Sequence, residues 1–332
     1  MDARPTSRRA LVAALCSLGA GAAWPRQAWA AAERFPQRPV RIVVPYSVGV
    51  GPDVVARAVA AHLSRRWDQT VWVDNKPGAS GIVAFGEVRR TPADGHTIFL
   101  ADTATMAVNP LLHASLPYDP VRDLVPLTLL FRATFLLWTG GSGRLPSLQA
   151  LLEAARSKPR SVSYASLGHG HASQVALETF AHAAGIQMLH VPFKDVGALM
   201  TAVVSGDVDL TAFSLNTMQG LFQQGKLRPL AVAARQRLPA LPNVPTLPEA
   251  GGPAVEMHPW AALVAVAGTP APVLAQLESH IAAALAAPEV RQQAEQAGFE
   301  LTPSTPQALR ERMQSDTALY TPLVNEGRVA RM

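Results

Sequence analysis

Two hydrophobic periods alternate along this chain. Short apolar runs rich in β-branched residues, Val40 to Val44, Val71 to Val73 and Thr97 to Ala101, read as buried strands. Between the first two, Val54, Val55, Ala58, Val59, His62 and Leu63 recur at helical spacing and predict a helix over 53–66. A second helix is expected at about 81–90. This β-α-β-α-β order with short connections is the pattern of a parallel sheet covered by helices. It resumes after a helix at 147–157, with strands at 161–165, 188–191 and 208–212, helices ending near 184 and 205, and a returning strand at 227–234. Residues 109–126 carry Pro110, Pro117 and Pro120 without a period and read as a surface excursion. Residues 127–138 form a mostly apolar run that suits one strand crossing between two lobes. A strand at 260–266 and helices at 271–286, 288–297 and 306–324 close the chain, the helices packed back on the first lobe. The pattern predicts an α/β protein of two lobes facing across a central ligand cleft.

Loops at the carboxyl ends of such strands line the crevice. The first strand ends at Pro45, which cannot extend the ladder, and passes through Tyr46, Ser47, Gly49 and Val50 to a helix start. There Gly51 suits the N-cap, Pro52 the first helical position, and Asp53 the positive end of the dipole. Strand, permissive loop and helix N-terminus together suit an anion without a lysine, so a carboxylate is the expected guest. Asp53 either orders this loop or accepts a ligand amine. Ser166, Gly168, His169, Gly170 and His171 repeat the arrangement in the second array. For both loops the alternative is a tight turn serving packing alone. Asn75, Gly78 and Ala79 form a second permissive loop, and Thr103 leaves the third strand in the corresponding place. Lys194 either meets a distal carboxylate or is a solvated loop lysine.

Composition narrows the class. Apolar residues at 48% with 16% charged exclude a disordered chain. The N-terminus has the look of a twin-arginine export leader: Ser7-Arg8-Arg9, an apolar run from Ala10 to Ala23, and the cleavage pattern Ala28-Trp29-Ala30. As a helix this run spans about 21 Å, short of the roughly 30 Å a permanent anchor needs. Cys16, the single cysteine, lies within it; a lipoprotein site there is the alternative. Cleavage after Ala30 removes Asp2, Arg4, Arg8, Arg9 and Arg26 and lowers the net charge from +5 to +2. The basic balance therefore does not argue for nucleic acid. A cysteine-free remainder tolerates an oxidising periplasm.

No catalytic constellation is assembled. There is no G-x-S-x-G and no P-loop, and Val54 stands where the dinucleotide fingerprint needs its last glycine. His169, His171 and His190 are the one candidate metal set, which would make a metal-assisted hydrolase, although their spacing fixes no tetrahedral arrangement. A binding protein without cofactor or metal is the leading reading.

In order along the chain, Pro45-Tyr46-Ser47-Val48-Gly49, Asp53, Asn75 to Gly81, Leu116-Pro117-Tyr118-Asp119-Pro120, Ser163 to Gly170, His190 to Lys194, Gly206 to Leu210, Gly225-Lys226-Leu227, Val244-Pro245-Thr246, Glu249-Ala250-Gly251 and Gly268-Thr269-Pro270 resemble the Bug-type solute receptors of tripartite tricarboxylate transporters. The resemblance implies a type II-like Venus flytrap, the periplasmic-binding-protein fold, without enzyme activity. Its lobes would be 31–131 with 235–332, and 132–234. It implies a monomer that carries a small organic acid to membrane transporter subunits, or to a sensor partner in a signalling variant. One ligand carboxylate would be held by the loops at 45–53 and 166–173, with those near 75–81, 103–105, 192–195 and 213–217 around the rest. Val50, His171, Gln174, Asp195 and Phe213 depart from the family pattern. Phe213 and His171 suggest a larger or aromatic acid.

Overall fold

The computed structural model describes residues 35–332; the leader, Cys16 and the cleavage site after Ala30 lie outside the described residues. Strand β1 (Val40–Val44), helix α1 (Gly51–Trp67), β2 (Val71–Asn75), α2 (Ile82–Val88) and β3 (Thr97–Asp102) follow the expected order. β1 pairs in parallel with both β2 and β3. Val55, Ala56, Val59 and Leu63 of α1 bury against Ile42, Val44 and Leu100, which is why that face is apolar at helical spacing.

The stretch read as a surface excursion is instead tied down. A wide helical turn at 104–108 runs into the short helix α3 (Asn109–Leu112), and Asn109, Leu112, Tyr118 and Leu124 are buried. Tyr118 packs on Phe85 with ring centroids 4.2 Å apart and donates to the Thr105 carbonyl at 2.8 Å. Such a segment buries single residues rather than one face, so it carries no period.

The apolar run at 127–138 is two strands in different sheets, not one. β4 (Leu124–Arg132) ends where Arg132 forks onto Glu300 at 2.8 and 2.9 Å, and β5 (Phe135–Gly140) begins after a two-residue break. The second array then follows: α4 (Leu148–Ser157), β6 (Ser163–Ser166), α5 (Ala172–Ala183), β7 (Leu189–Pro192), α6 (Val196–Ser205), β8 (Leu210–Ser214), α7 (Leu215–Gln223) and β9 (Leu227–Val232). α7 falls in a stretch to which the sequence pattern assigns no element; it packs Leu215, Met218, Leu221 and Phe222 on the second core, with only Met218 fully buried. The chain returns through β10 (Trp260–Val266), α8 (Ala271–Ala286), α9 (Pro288–Gln296), β11 (Glu300–Leu301) and α10 (Pro306–Asn325).

The first sheet has the order β11-β4-β10-β3-β1-β2 and the second β7-β6-β8-β5-β9. Each has three parallel strands and then an antiparallel one: β10 beside β3 in the first, β5 beside β8 in the second. Two crossings link the sheets, at 133–134 and 233–259. They are laced together by Ala133 N–H to the Pro259 carbonyl, Phe135 to Met257, Met257 to Ala233 and Ala233 to Phe135, at 2.9–3.0 Å. Helices α8 and α9 pack on α1 as expected. α10 lies on β4 but also reaches α5 of the second array, where Leu323, Val324 and Val329 bury against Val175, Val108 and Leu112. No helix among the described residues is long and apolar enough to cross a membrane.

Leu100 and Leu177 are wholly buried in separate cores, one per sheet. Leu100→Ala and Leu177→Ala are each expected to cost about 2–5 kcal/mol, and the double variant their sum within roughly 0.5 kcal/mol, as read by denaturant unfolding.

Candidate functional site

The loop after β1 is organised from behind by Asp53. This residue is 1% exposed, and its carboxylate accepts from the Gly49 N–H at 2.8 Å, Arg57 Nε at 2.9 Å and Asn75 Nδ2 at 2.8 Å. Burial opposes its ionisation, yet the hydrogen bonds from Arg57, Gly49 and Asn75 hold its carboxyl below the usual range. Asn75 also donates to the Tyr46 carbonyl at 3.0 Å and accepts from Arg57 Nη2 at 2.8 Å. Both side chains are therefore struts within the loop. The helix begins one residue earlier than expected: Val50 occupies the N-cap, Gly51 is the first helical residue and Pro52 follows. The cause is tertiary. A Cβ on Gly51 would stand 2.4 Å from the ring of Phe299, so the glycine makes room for that ring rather than capping. Ser47, Val48 and Gly49 stand exposed on the open side.

Next to it, Gly78, Ala79, Ser80 and Gly81 all have positive φ, at 135°, 46°, 47° and 90°. Ala79 and Ser80 pay roughly 1–2 kcal/mol each for this conformation. The turn is held by Asn109 Nδ2, which donates to the Ser80 carbonyl at 2.9 Å, and by Thr105, whose methyl fills the space of a Gly81 side chain. Thr103, behind it, exchanges hydrogen bonds with the Trp260 backbone. Tyr46 donates to Asp102, whose other oxygen accepts from Thr105. These loops form one cluster at the carboxyl edge of β1, β2 and β3.

The second cluster lies at the carboxyl edge of β6, β7 and β8. Ser166 is fully buried, its hydroxyl 2.6 Å from His190 Nε2. His190 stacks on Tyr164 and meets Gln174 Nε2 at 3.2 Å, while Gln174 Oε1 takes the Gly170 N–H at 2.7 Å. His171 does the work of a small N-cap hydroxyl, since its Nδ1 accepts from the Ser173 N–H at 3.1 Å. Burial pushes the His171 imidazole down to about 4, and burial with His169 alongside does the same to His190, so both are neutral at pH 7. Asp195 caps α6 through Ala198 N–H at 2.8 Å. Phe213 is buried against Phe135, with His171 6.4 Å from its ring. His169 and Lys194 are exposed, and Lys194 makes no hydrogen bond or ion pair among the described residues.

The clusters meet where the Ser80 hydroxyl lies 3.5 Å from the His169 carbonyl. At another edge, Asn216 Nδ2 donates to the Glu295 carbonyl at 3.1 Å. The structure thus brings Tyr46, Ser47, Gly49, Val50, Gly78 and Ala79 to one side and Ser166, Gly168, His169, Gly170, His171 and Lys194 to the other. Asp53, Asn75, Thr103, Asp195 and Phe213 are engaged within their own lobes. Among the described residues no group of three or more His, Cys, Asp or Glu is placed to hold an ion; of the candidate set, His171 caps α5 and His190 meets Ser166. Ser80, Asn109, Arg57 and Tyr118 escaped sequence reasoning; the Asn109-Pro110 pair was the available signal, hidden by the lack of period around it. A separate cavity of about 230 Å³, lined by Ser142, Arg144 and Asp209 among others, lies at the opposite edge of the second sheet.

His171 has a folded-state pKa below its unfolded value, so between about pH 6.5 and 4 the unfolded chain binds a proton that the folded chain refuses, and stability falls as pH is lowered through that window. His171→Asn keeps a capping acceptor and removes the titration. Its stability relative to wild type, measured by urea unfolding, is expected to rise progressively from pH 7 to pH 5.

The family model for the tripartite tricarboxylate transporter family receptor matches residues 55–328. A protein from the tcbD-tcbE intergenic region of Pseudomonas sp. strain P51 is 33% identical over 298 residues, covering 90% of this chain and 88% of its own. Among solved structures, R. palustris Rpa4515 with adipate has a TM-score of 0.80 at 30% identity, covering 90% of this chain and 100% of that one. MatC from Rhodopseudomonas palustris with bound malate has a TM-score of 0.76 at 28% identity, covering 87% and 99%. With two sheets of matching strand order, linked by two crossings and similar over nearly their whole length to periplasmic binding proteins, the chain belongs to the tripartite tricarboxylate transporter receptor family of solute-binding proteins.

Proposed function

We propose that this receptor captures a small organic acid between the two loop clusters and delivers it to the membrane subunits of a tripartite tricarboxylate-type transporter, without chemical change to the acid. One lobe is built on the first sheet, from the residues up to 132 and from 260 onward, and the other on the second sheet, with the 233–259 crossing packed against it through Leu241, Leu247 and Met257; the receptor works as a monomer in the periplasm after removal of residues 1–30. The observation that carries this reading is that the carboxyl-edge loops of both sheets face one another, touching at Ser80 and His169. On the first side Asp53 is neutralised by Arg57 and turned inward, so an arriving carboxylate meets the main chain of 47–50 and the positive end of α1 rather than a fixed negative charge. On the second side His171 and His190 are neutral and the Leu167, Gly168 and Gly170 N–H groups are engaged by Ser173, Ser166 and Gln174, which leaves the His169 N–H and the exposed Lys194 to receive the guest.

Adipate and malate in the neighbouring structures are both dicarboxylates, which supports acids of this size class. The walls here favour a guest with more apolar body. Val48 is 70% and Val50 39% exposed on one side, and the rings of His169, His171 and Phe213 stand on the other. Tyr46, Ser47, Gly49, Val50, Gly78, Ala79, Ser166, Gly168, His169, Gly170, His171 and Lys194 are the contact set; Asp53, Asn75, Thr103, Asp195 and Phe213 shape it.

Binding to the folded state raises thermal stability as RT ln(1 + [L]/Kd), about 2.7 kcal/mol at a hundredfold excess over Kd. A thermal-shift screen of aliphatic and aromatic mono- and dicarboxylates is expected to yield at least one acid that raises Tm; no shift with any acid overturns the reading. A Gly49 side chain would enter open space at a φ of +83° that costs Asp about 1–2 kcal/mol, so Gly49→Asp is expected to fold with that loss of stability while losing at least tenfold in affinity for that acid by titration calorimetry, through charge repulsion.

A further inference from the structure

Asn109 occupies a position that the needs of the fold alone do not explain. It is fully buried on α3, and its amide nitrogen donates to the Ser80 carbonyl at 2.9 Å and to the Tyr118 hydroxyl at 3.1 Å. Its own oxygen is buried without a partner. Buried amides normally satisfy both ends, and a residue that forgoes one to hold a strained turn is serving that turn. What the turn presents is Ser80, whose hydroxyl reaches across to the His169 carbonyl. Behind this contact Gly170 of the second lobe also comes near: a Cβ there, at φ +73°, would stand 2.9 Å from Leu112 and 3.9 Å from the unpartnered Asn109 oxygen. Asn109 thus lies beside the seam between the lobes while holding the turn that crosses it.

We propose that Asn109 is a positioning residue for capture: it holds the 78–81 turn in its left-handed form so that Ser80 latches onto the second lobe when the lobes close, and it slows release of the bound guest. The inference rests on the two-lobed capture reading but concerns closure, not the chemistry of the guest. Ser80 acts from outside the loops assigned to the carboxylate. Because the turn is already formed within the first lobe, closing adds the Ser80 contact without ordering anything further, and this contact biases the closed state by its own differential free energy.

The chain without residues 1–30 has no cysteine, so spin labels are placed on Trp72→Cys and Leu189→Cys alone, exposed on the edge strands β2 and β7 of the two sheets. Pulsed electron-electron distance measurement then reports lobe separation with and without adipate or another acid that shifts Tm. Ser80→Gly keeps the backbone conformation and removes the hydroxyl; Asn109→Asp keeps the shape and removes the donor. Both are expected to lower the closed-to-open ratio about three- to tenfold, the size of one net hydrogen bond, and to speed acid release by a similar factor while association changes little. Unchanged distance distributions in both variants overturn the proposal. Should no acid alter the parent distribution, the capture reading fails, and the latch is judged separately on the ligand-free distribution, which the variants must lengthen. Ser80→Gly fits its φ without strain, so misfolding of Asn109→Asp leaves the proposal testable.

Discussion

A single buried carboxylate organises the mouth of the first lobe. Asp53 has almost no contact with water, and a charge so placed is tolerable only when donors surround it. Its donors come from three segments: Gly49 in the loop, Arg57 one turn along α1, and Asn75 at the end of β2. The network therefore sets the distance between strand end, loop and helix start. It also uses up every strongly polar side chain of the loop, which leaves main chain, Ser47 and two valines facing outward. Removing one partner would strand a buried charge, so the arrangement is far more rigid than a six-residue loop would otherwise be.

The second lobe solves the same problem with neutral groups. Ser166, His190, Gln174 and the Gly170 amide form a chain of hydrogen bonds, with His190 stacked on Tyr164. Tyr164 in turn donates to Glu178 at 2.6 Å, which lies 3.9 Å from Arg328 beyond the C-terminal helix. The loop that opens α5 is thus braced through its own lobe down to the chain end. Between the lobes, the two crossings are laced by four main-chain hydrogen bonds, while α10 and the residues after it reach the second lobe through Leu323, Val324 and Val329 on Val175 and through Arg328 on the Ile186 carbonyl, with further contacts at Ser80 and Asn216.

Relatives caught with adipate and malate have the same fold over nearly their whole length. Within this frame Val48, Val50, His171 and Phe213 stand in the loops after β1 and β6 and at the end of β8.

The amino-acid sequence by itself determined the two βα arrays, the position of β1 to the residue with the Gly-containing loop after it, and the family. Strands of β-branched residues and amphipathic helices are local in period, and the loop's glycines and proline are local in conformation. Only the tertiary structure decided that 127–138 breaks into strands of two sheets, since the break is made by hydrogen bonds to Met257 and Pro259, more than a hundred residues away. The same holds for Gly51, whose role is set by the Phe299 ring, and for Asn109 and Tyr118, buried from a stretch without period. α7 escaped although Leu215, Met218 and Phe222 recur at helical spacing, because a nine-residue helix is too short for that stripe to stand out. Where a residue's neighbours are adjacent in the chain, the pattern speaks for it; where they arrive from the other lobe or the returning strand, only packing can.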